Sequence, residues 1–170
     1  MDLTATAGRS AEPQPGGRVG EYLAQIVLHN VSHGTCSLQG WAGLEVFGDG
    51  IPVVCNGADD PTPDCGKGPD TTEPRSVTVT RVPGLAADLV VLAPGEQTSY
   101  GLLWSDERRP ECHATGGWDP PYGARVWIPG DSRPLTAAPL PDMWACGGLI
   151  RLMPIGQTFV PFGGSAGGTG

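Results

Sequence analysis

Tyr22-Leu-Ala-Gln-Ile-Val-Leu-His-Asn30 separates into two faces: Tyr22, Ala24, Ile26 and Leu28 make an unbroken apolar row, while Leu23, Gln25, Val27 and His29 mix apolar and polar side chains. Side chains two apart share a face of a strand, so the stretch reads as a β-strand with one side in a core. Downstream, Thr35-Cys-Ser-Leu-Gln-Gly-Trp41, Leu92-Ala-Pro-Gly-Glu96 and Ser99-Tyr-Gly-Leu-Leu-Trp104 have the same texture, short apolar runs punctuated by Asn, Gly and Pro. That is how a β-sandwich is written.

The remaining segments extend the pattern. Asp2 to Thr6 alternates as a first strand, and Ala7 to Gly17 is a Pro/Gly-rich connector. Leu44 to Phe47 and Ile51 to Val54 flank Gly48-Asp-Gly50, a hairpin signal because these residues tolerate positive φ. Ser76 to Val82 alternates, and Pro94-Gly95 is expected to turn Asp88 to Leu92 back antiparallel into Gln97 to Trp104. Ala124 to Ile128 places Val126 on the side of Ala124 and Ile128, with Pro129-Gly130-Asp131 turning the chain toward Leu135, and Gly148 to Pro154 closes the set. About eight or nine strands and no helical periodicity predict an all-β class. The architecture expected is an antiparallel two-sheet β-sandwich of immunoglobulin-like Greek-key topology, with Trp104 in its core. Residues 1–160 read as one domain, and the composition of 161–170 predicts a flexible Gly-rich tail.

Charge limits the partners. Ten basic against eighteen acidic residues leave a net charge of −8, which opposes binding to nucleic acid or anionic membranes, since both need clustered Lys and Arg. Apolar runs are only a few residues long, so this chain predicts no transmembrane helix and no signal peptide, and an exported protein would carry it in trimmed form.

Five cysteines point to an oxidising compartment. Cys55 and Cys65 flank the polar loop Asn56 to Asp64, and a bridge there contributes about 3 kcal/mol on the chain-entropy estimate. Cys112 and Cys146 form the second expected pair, which leaves Cys36 unpaired: a missing partner, an intermolecular bond or a free thiol. No Cys-x-x-Cys pair supports zinc. Asp59, Asp60, Asp64 and Asp70 match no calcium-loop spacing and sit among prolines, so they read as a solubilised loop. Neither metal nor cofactor is expected.

A nucleophile, base and orienter are available on paper as Ser105, His113 and Asp119 in or beside the long loop 106–122, but any chain with a His offers such a set. Glu107 and Glu111 are interleaved with Arg108 and Arg109, so local charge compensation accounts for them, and His29 and His33 read as solvated. No catalytic residue is assigned. The aromatic residues carry more information. Trp41, Trp118, Tyr122, Trp127 and Trp144 exceed the needs of one core, and they either cap the ends of the sandwich or offer large, low-entropy contact area to a ligand. Trp118 and Tyr122, flanking Asp119-Pro-Pro121, are the best candidates for an exposed pair, with Trp41 and Trp127 beside them as ligand-binding residues.

The ordered set from strand-Asn30 through Cys36-x-Leu38-x-Gly40-Trp41, then Leu92-x-Pro94-Gly95 before a strand ending at Trp104, a lone Cys112, and Cys146-Gly-Gly148 ahead of a last strand, resembles one family, catalogued as domain of unknown function 4232. It is found in secreted and lipid-anchored actinobacterial proteins. The resemblance runs from about Asp2 to Pro154 and departs from the family in three places. The Cys that usually precedes an Asp-Leu pair is absent before Asp2-Leu3, Ala42 stands where Pro is common, and Cys55 to Glu73 reads as an insertion. The resemblance implies that Cys36 has lost its partner with the start of the chain, and it implies a cell-envelope location with no known activity.

The expected function is therefore a noncatalytic extracellular or cell-envelope interaction module, with a protein or a cell-wall glycan as partner. Two rivals from other classes are a hydrolytic enzyme with its site in the 106–122 loop and a structural assembly subunit joined through edge strands. Oligomeric state is left open.

Overall fold

The computed structural model describes residues 2–8, 12–13, 21–48, 74–75, 77–105, 121–140, 143 and 148–158. Eleven strands follow in chain order: β1 (Leu3–Ala7), β2 (Glu12–Pro13), β3 (Glu21–Asn30), β4 (Cys36–Leu38), β5 (Gly43–Phe47), β6 (Thr78–Arg81), β7 (Val90–Leu92), β8 (Gln97–Ser105), β9 (Gly123–Trp127), β10 (Leu135–Ala137) and β11 (Leu149–Leu152). Among the described residues there is no helix. The all-β expectation therefore stands.

The strands form three sheets. The largest runs β1-β3-β8-β11-β6, with β2 on the β1 edge of β3, and its spine is the antiparallel β3–β8 pair, in register from Glu21 opposite Ser105 to His29 opposite Gln97. A second sheet is β10-β9-β5, and a third is the two-stranded β4-β7. The predicted apolar row of β3 is the buried one: Ala24, Ile26 and Leu28 are 1%, 0% and 0% exposed, and Tyr22 stacks on Trp104 of β8 at 6.1 Å. One core cluster joins these residues to Leu38, Leu92, Val46, Val126, Ala137 and Ile150, so all three sheets bury their apolar faces together.

Two features differ from the antiparallel two-sheet expectation. First, β6 lies parallel to β11, from Thr78 beside Leu149 to Arg81 beside Leu152, which makes the large sheet mixed. Residues about seventy positions apart that run in the same direction leave no turn signal between them. Second, β7 and β8 are not a hairpin, because β7 pairs with β4 while β8 pairs with β3 and β11. The Pro94-Gly95 turn does form. Glu96 N donates to Ala93 O at 3.0 Å and Gly95 has φ 82°, a type II geometry that requires Gly at the third position. It carries the chain from one sheet to another.

The crossing is held by Asn30, the one buried polar residue among the described residues. Its Nδ2 donates to Gly34 O at 2.8 Å and to Leu92 O at 3.0 Å, and its Oδ1 accepts from Ser32 N at 3.1 Å and Ser32 Oγ at 2.7 Å. Its backbone N donates to Glu96 O at 3.0 Å, and its carbonyl accepts from Gly95 N at 2.9 Å. Every hydrogen-bonding group of this residue is used, as burial demands. The end of β3 is thereby tied to the β4 entry, to β7 and to the turn into β8. Of the predicted Gly48 hairpin, Leu44 to Phe47 is in β5 and pairs with β9. Its other half, Ile51 to Val54, lies outside the described residues, as do the predicted tail and the acidic loop from Asp59 to Asp70.

Candidate functional site

The sheet β10-β9-β5 turns one face to the core and one away from it. Alternation assigns Ala124 and Val126 of β9 and Val46 of β5 to the core, with the neighbouring Ile128 buried beside them. Gly123, Arg125 and Trp127 of β9, with Gly43, Glu45 and Phe47 of β5, fall on the other face. Register makes them three rows: Gly43 opposite Trp127, Glu45 opposite Arg125, and Phe47 opposite Gly123.

Each row is built around a glycine or an ion pair. At Gly43 a Cβ would stand 3.2 Å from Trp127 Cβ and 3.7 Å from its indole carbon Cε3, so the half-buried indole lies against bare backbone. At Gly123 a Cβ would meet Phe47 Cζ at 2.6 Å and Ala138 Cβ at 3.0 Å, so only Gly lets the Phe47 ring lie there. Between them Arg125 Nη1 donates to Glu45 Oε1, and the guanidinium sits 5.1 Å from the centre of the Phe47 ring, a cation–π arrangement. The Arg125 and Glu45 side chains remain 34% and 36% exposed, enough to be reached from solvent. Thr136 of β10, opposite Arg125, is exposed. At the end of β9, Asp131 Oδ1 accepts from Arg133 N at 2.9 Å and lies 3.8 Å from its guanidinium.

Of the candidate ligand-binding aromatics among the described residues, Trp41, Tyr122 and Trp127, it is Trp127 that stands on this face. Tyr122, just before β9, is half-buried and meets the Phe47 ring at 6.5 Å, so it borders the face. Trp41 is elsewhere: half-buried against the main core, under the Arg81 guanidinium at 4.8 Å, with its Nε1 buried and unpartnered. That setting fits the capping alternative. Trp118 lies outside the described residues, as do Trp144, Cys55, Cys65, Cys112, Cys146, His113 and Asp119. Ser105, the third member of the paper triad, ends β8. Glu45, Arg125 and Phe47 were not read from the sequence as site residues. Alternation on each strand marks them as outward, but their meeting depends on a register between strands about eighty residues apart.

Cys36 is a buried free thiol, opposite Leu92 in the β4–β7 pair, and desolvation pushes it above the ordinary thiol range. Burial alone likewise drives the Tyr100 phenol far above its usual range, and its hydroxyl has no hydrogen-bond partner. His29 is half-buried and His33 exposed. Among the described residues no disulfide is present, no three His, Cys, Asp or Glu side chains gather to hold a metal ion, and no helix is long and apolar enough to cross a membrane.

Fold and face together define a β-rich domain in which one sheet turns a half-buried Trp127 and a partly exposed Arg125–Glu45 pair away from the core. The chain belongs to the family described as Domain of unknown function (DUF4232), which it matches over residues 1–154. No curated protein and no solved structure gives a significant match.

Proposed function

We propose that the protein is a noncatalytic interaction module of the extracellular space or cell envelope, and that the outward face of β10-β9-β5 is its contact surface. One observation carries this reading: Trp127 and the partly exposed Arg125–Glu45 pair are set in consecutive rows on the face of the sheet opposite the core, with Trp127 lying on Gly43 and the guanidinium over the buried Phe47 ring. Aromatic and Arg side chains held in place lose little entropy on contact, which is what anchors an interface. The five cysteines and the family support the compartment. In the same reading the three sheets are parts of one two-layer, immunoglobulin-like sandwich. The larger of its two core clusters, shared by all three sheets, supports this.

The test is site-specific photo-crosslinking in the cells that make the protein. A benzophenone amino acid replaces Thr136 on the proposed face or Thr4 on β1, exposed on the outward side of the large sheet. Discrete adducts from position 136 and none from position 4 are expected. Equal adducts from both positions, or none from 136, would remove the proposal.

A further inference from the structure

We infer that residues 83–89 are a strap that closes over an apolar socket on the outer face of the large sheet and opens as a unit while the strands beneath stay paired.

The socket follows from alternation. Leu23 and Leu103 are opposite each other in the β3–β8 pair, on the side of the sheet away from Tyr22, Ala24, Leu102 and Trp104. With Val82 and Met153 they form a second core cluster, separate from the larger one. Its floor is Gly101. A Cβ there would stand 2.6 Å from Met153 Sδ and 2.9 Å from Leu23 Cδ1, so only bare backbone leaves these side chains room. Met153 and Leu103 are 0% and 2% exposed although they belong to an outer face, and Leu85 of the strap packs on their cluster.

The fastenings of the strap are weak. It starts after Val82, whose N donates to Leu152 O at 2.9 Å, and it runs into β7 at Val90. Between these ends Gln157 Nε2 donates to Ala86 O at 2.9 Å and Gln39 Nε2 to Ala87 O at 3.1 Å, and both bonds are exposed. Water competes for such bonds, so each adds little. Leu85 and Ala87 are half-buried, and the rest of the strap is exposed. The β3–β8 pair beneath it, by contrast, is in register from Glu21 to His29. A segment with few buried apolar side chains and solvent-exposed bonds opens at a lower free energy than the ladder under it.

Gln157 is the latch. Its side chain holds the strap, while its carbonyl accepts from Gly101 N at 2.9 Å, in the floor of the socket. The chain thus covers an apolar surface with its own Leu85, and two glutamine side chains set how often that surface meets solvent.

The experiment uses the whole chain and two fully buried methionines, Met153 in the socket and Met143 in the larger core cluster. Dilute hydrogen peroxide converts a thioether to the sulfoxide when it becomes accessible, and peptide mass mapping reads each rate. Below the unfolding transition the Met153 rate should stay nearly flat with urea, because a local opening exposes little surface. Gln39→Ala and Gln157→Ala, which leave Leu85 in place, should each raise that rate severalfold, and Leu85→Ala should raise it about tenfold, with the Met143 rate unchanged. The glutamine variants decide the matter even if Leu85→Ala fails to fold. A Met153 rate that climbs with urea as steeply as global unfolding, or that neither glutamine variant moves, overturns the strap. A rise shared equally by Met143 would mean that the whole fold has loosened, and it overturns the strap as a local unit.

Discussion

Two turns of this protein have the same chemistry and different consequences. Ala93-Pro94-Gly95-Glu96 and Ile128-Pro129-Gly130-Asp131 both place Pro second and Gly third, both give the Gly a positive φ (82° and 86°), and both close with a bond to the first carbonyl, at 3.0 and 2.9 Å. The second leads β9 into β10, its antiparallel neighbour in the same sheet. The first takes the chain from β7 in one sheet to β8 in another. A Pro-Gly turn therefore sets a local reversal and does not choose the strand's partner. At the first turn the choice is made by Asn30, which binds Leu92 O with its side chain and Glu96 and Gly95 with its backbone.

The largest expected effect comes from removing that choice. Asn30→Ala leaves the buried Leu92 carbonyl without its side-chain donor and Ser32 N without its acceptor, and each buried unpaired group costs about 1–3 kcal/mol. A loss of about 3 kcal/mol is expected in urea unfolding, read as a lower midpoint with an unchanged m-value. A loss below about 1 kcal/mol would mean that Asn30 is incidental and the crossing is held by core packing. Asn30→Asp sharpens the point through pH. Its carboxylate would face two carbonyl oxygens, so its folded pKa rises above the ordinary value of about 3.9. The folded state then holds a proton that the unfolded chain has lost, and the variant's stability relative to the parent falls as the pH rises from about 4 toward the folded pKa. The gap between the two proteins should narrow again in acid, and a gap that widens in acid would contradict the geometry.

The next test asks whether the two turns are locally equivalent. A Cβ at Gly95 or Gly130 meets nothing within 4 Å, so the cost of Gly95→Ala and of Gly130→Ala is backbone strain alone. A non-Gly residue at such a φ costs about 1–2 kcal/mol, less a few tenths recovered from the stiffer unfolded chain. Both variants are expected to lose about 1 kcal/mol in thermal or urea unfolding, within about 0.5 kcal/mol of each other, a spread typical of independent sites. A markedly larger loss at Gly95 would show that the turn and Asn30 act as one unit through the Gly95 N to Asn30 O bond.

The same contrast marks what the sequence makes legible. The buried face of β3, the β9–β10 reversal and the outward placement of Trp127 all follow from alternation or turn residues within a few positions, and the structure has each of them. The β4–β7 pairing and the parallel β6–β11 contact depend on segments tens of residues apart, and strand propensity carries no address for a distant partner. Asn30 reads locally as a residue that ends a strand. Its part in holding β7 becomes visible only once Leu92 is known to lie beside it. For the site, the missing information was also register. Glu45 and Arg125 are ordinary charged residues in sequence, and become a pair because Gly43 is opposite Trp127 two positions away.

The smallest expected effect separates the two turns by their acids. Glu96 Oε2 accepts from Ala93 N at 2.8 Å, which folds the carboxylate back over its own turn, whereas Asp131 Oδ1 accepts from Arg133 N beyond its turn, at 2.9 Å. Both bonds are exposed, where water competes and the net worth of one charge-assisted bond shrinks to about 0.5 kcal/mol. Glu96→Ala and Asp131→Ala should each cost about that much by chemical denaturation, yet hydrogen exchange should distinguish them. Without the Glu96 carboxylate, Ala93 N loses its acceptor, and its exchange should speed up while the Asn30 amide, bonded to the Glu96 carbonyl, stays protected. In Asp131→Ala the faster amide should be Arg133, with protection along β9 and β10 unchanged. If Glu96→Ala also releases the Asn30 amide, the side-chain cap helps to hold the crossing, and choosing the partner strand is not the work of Asn30 alone.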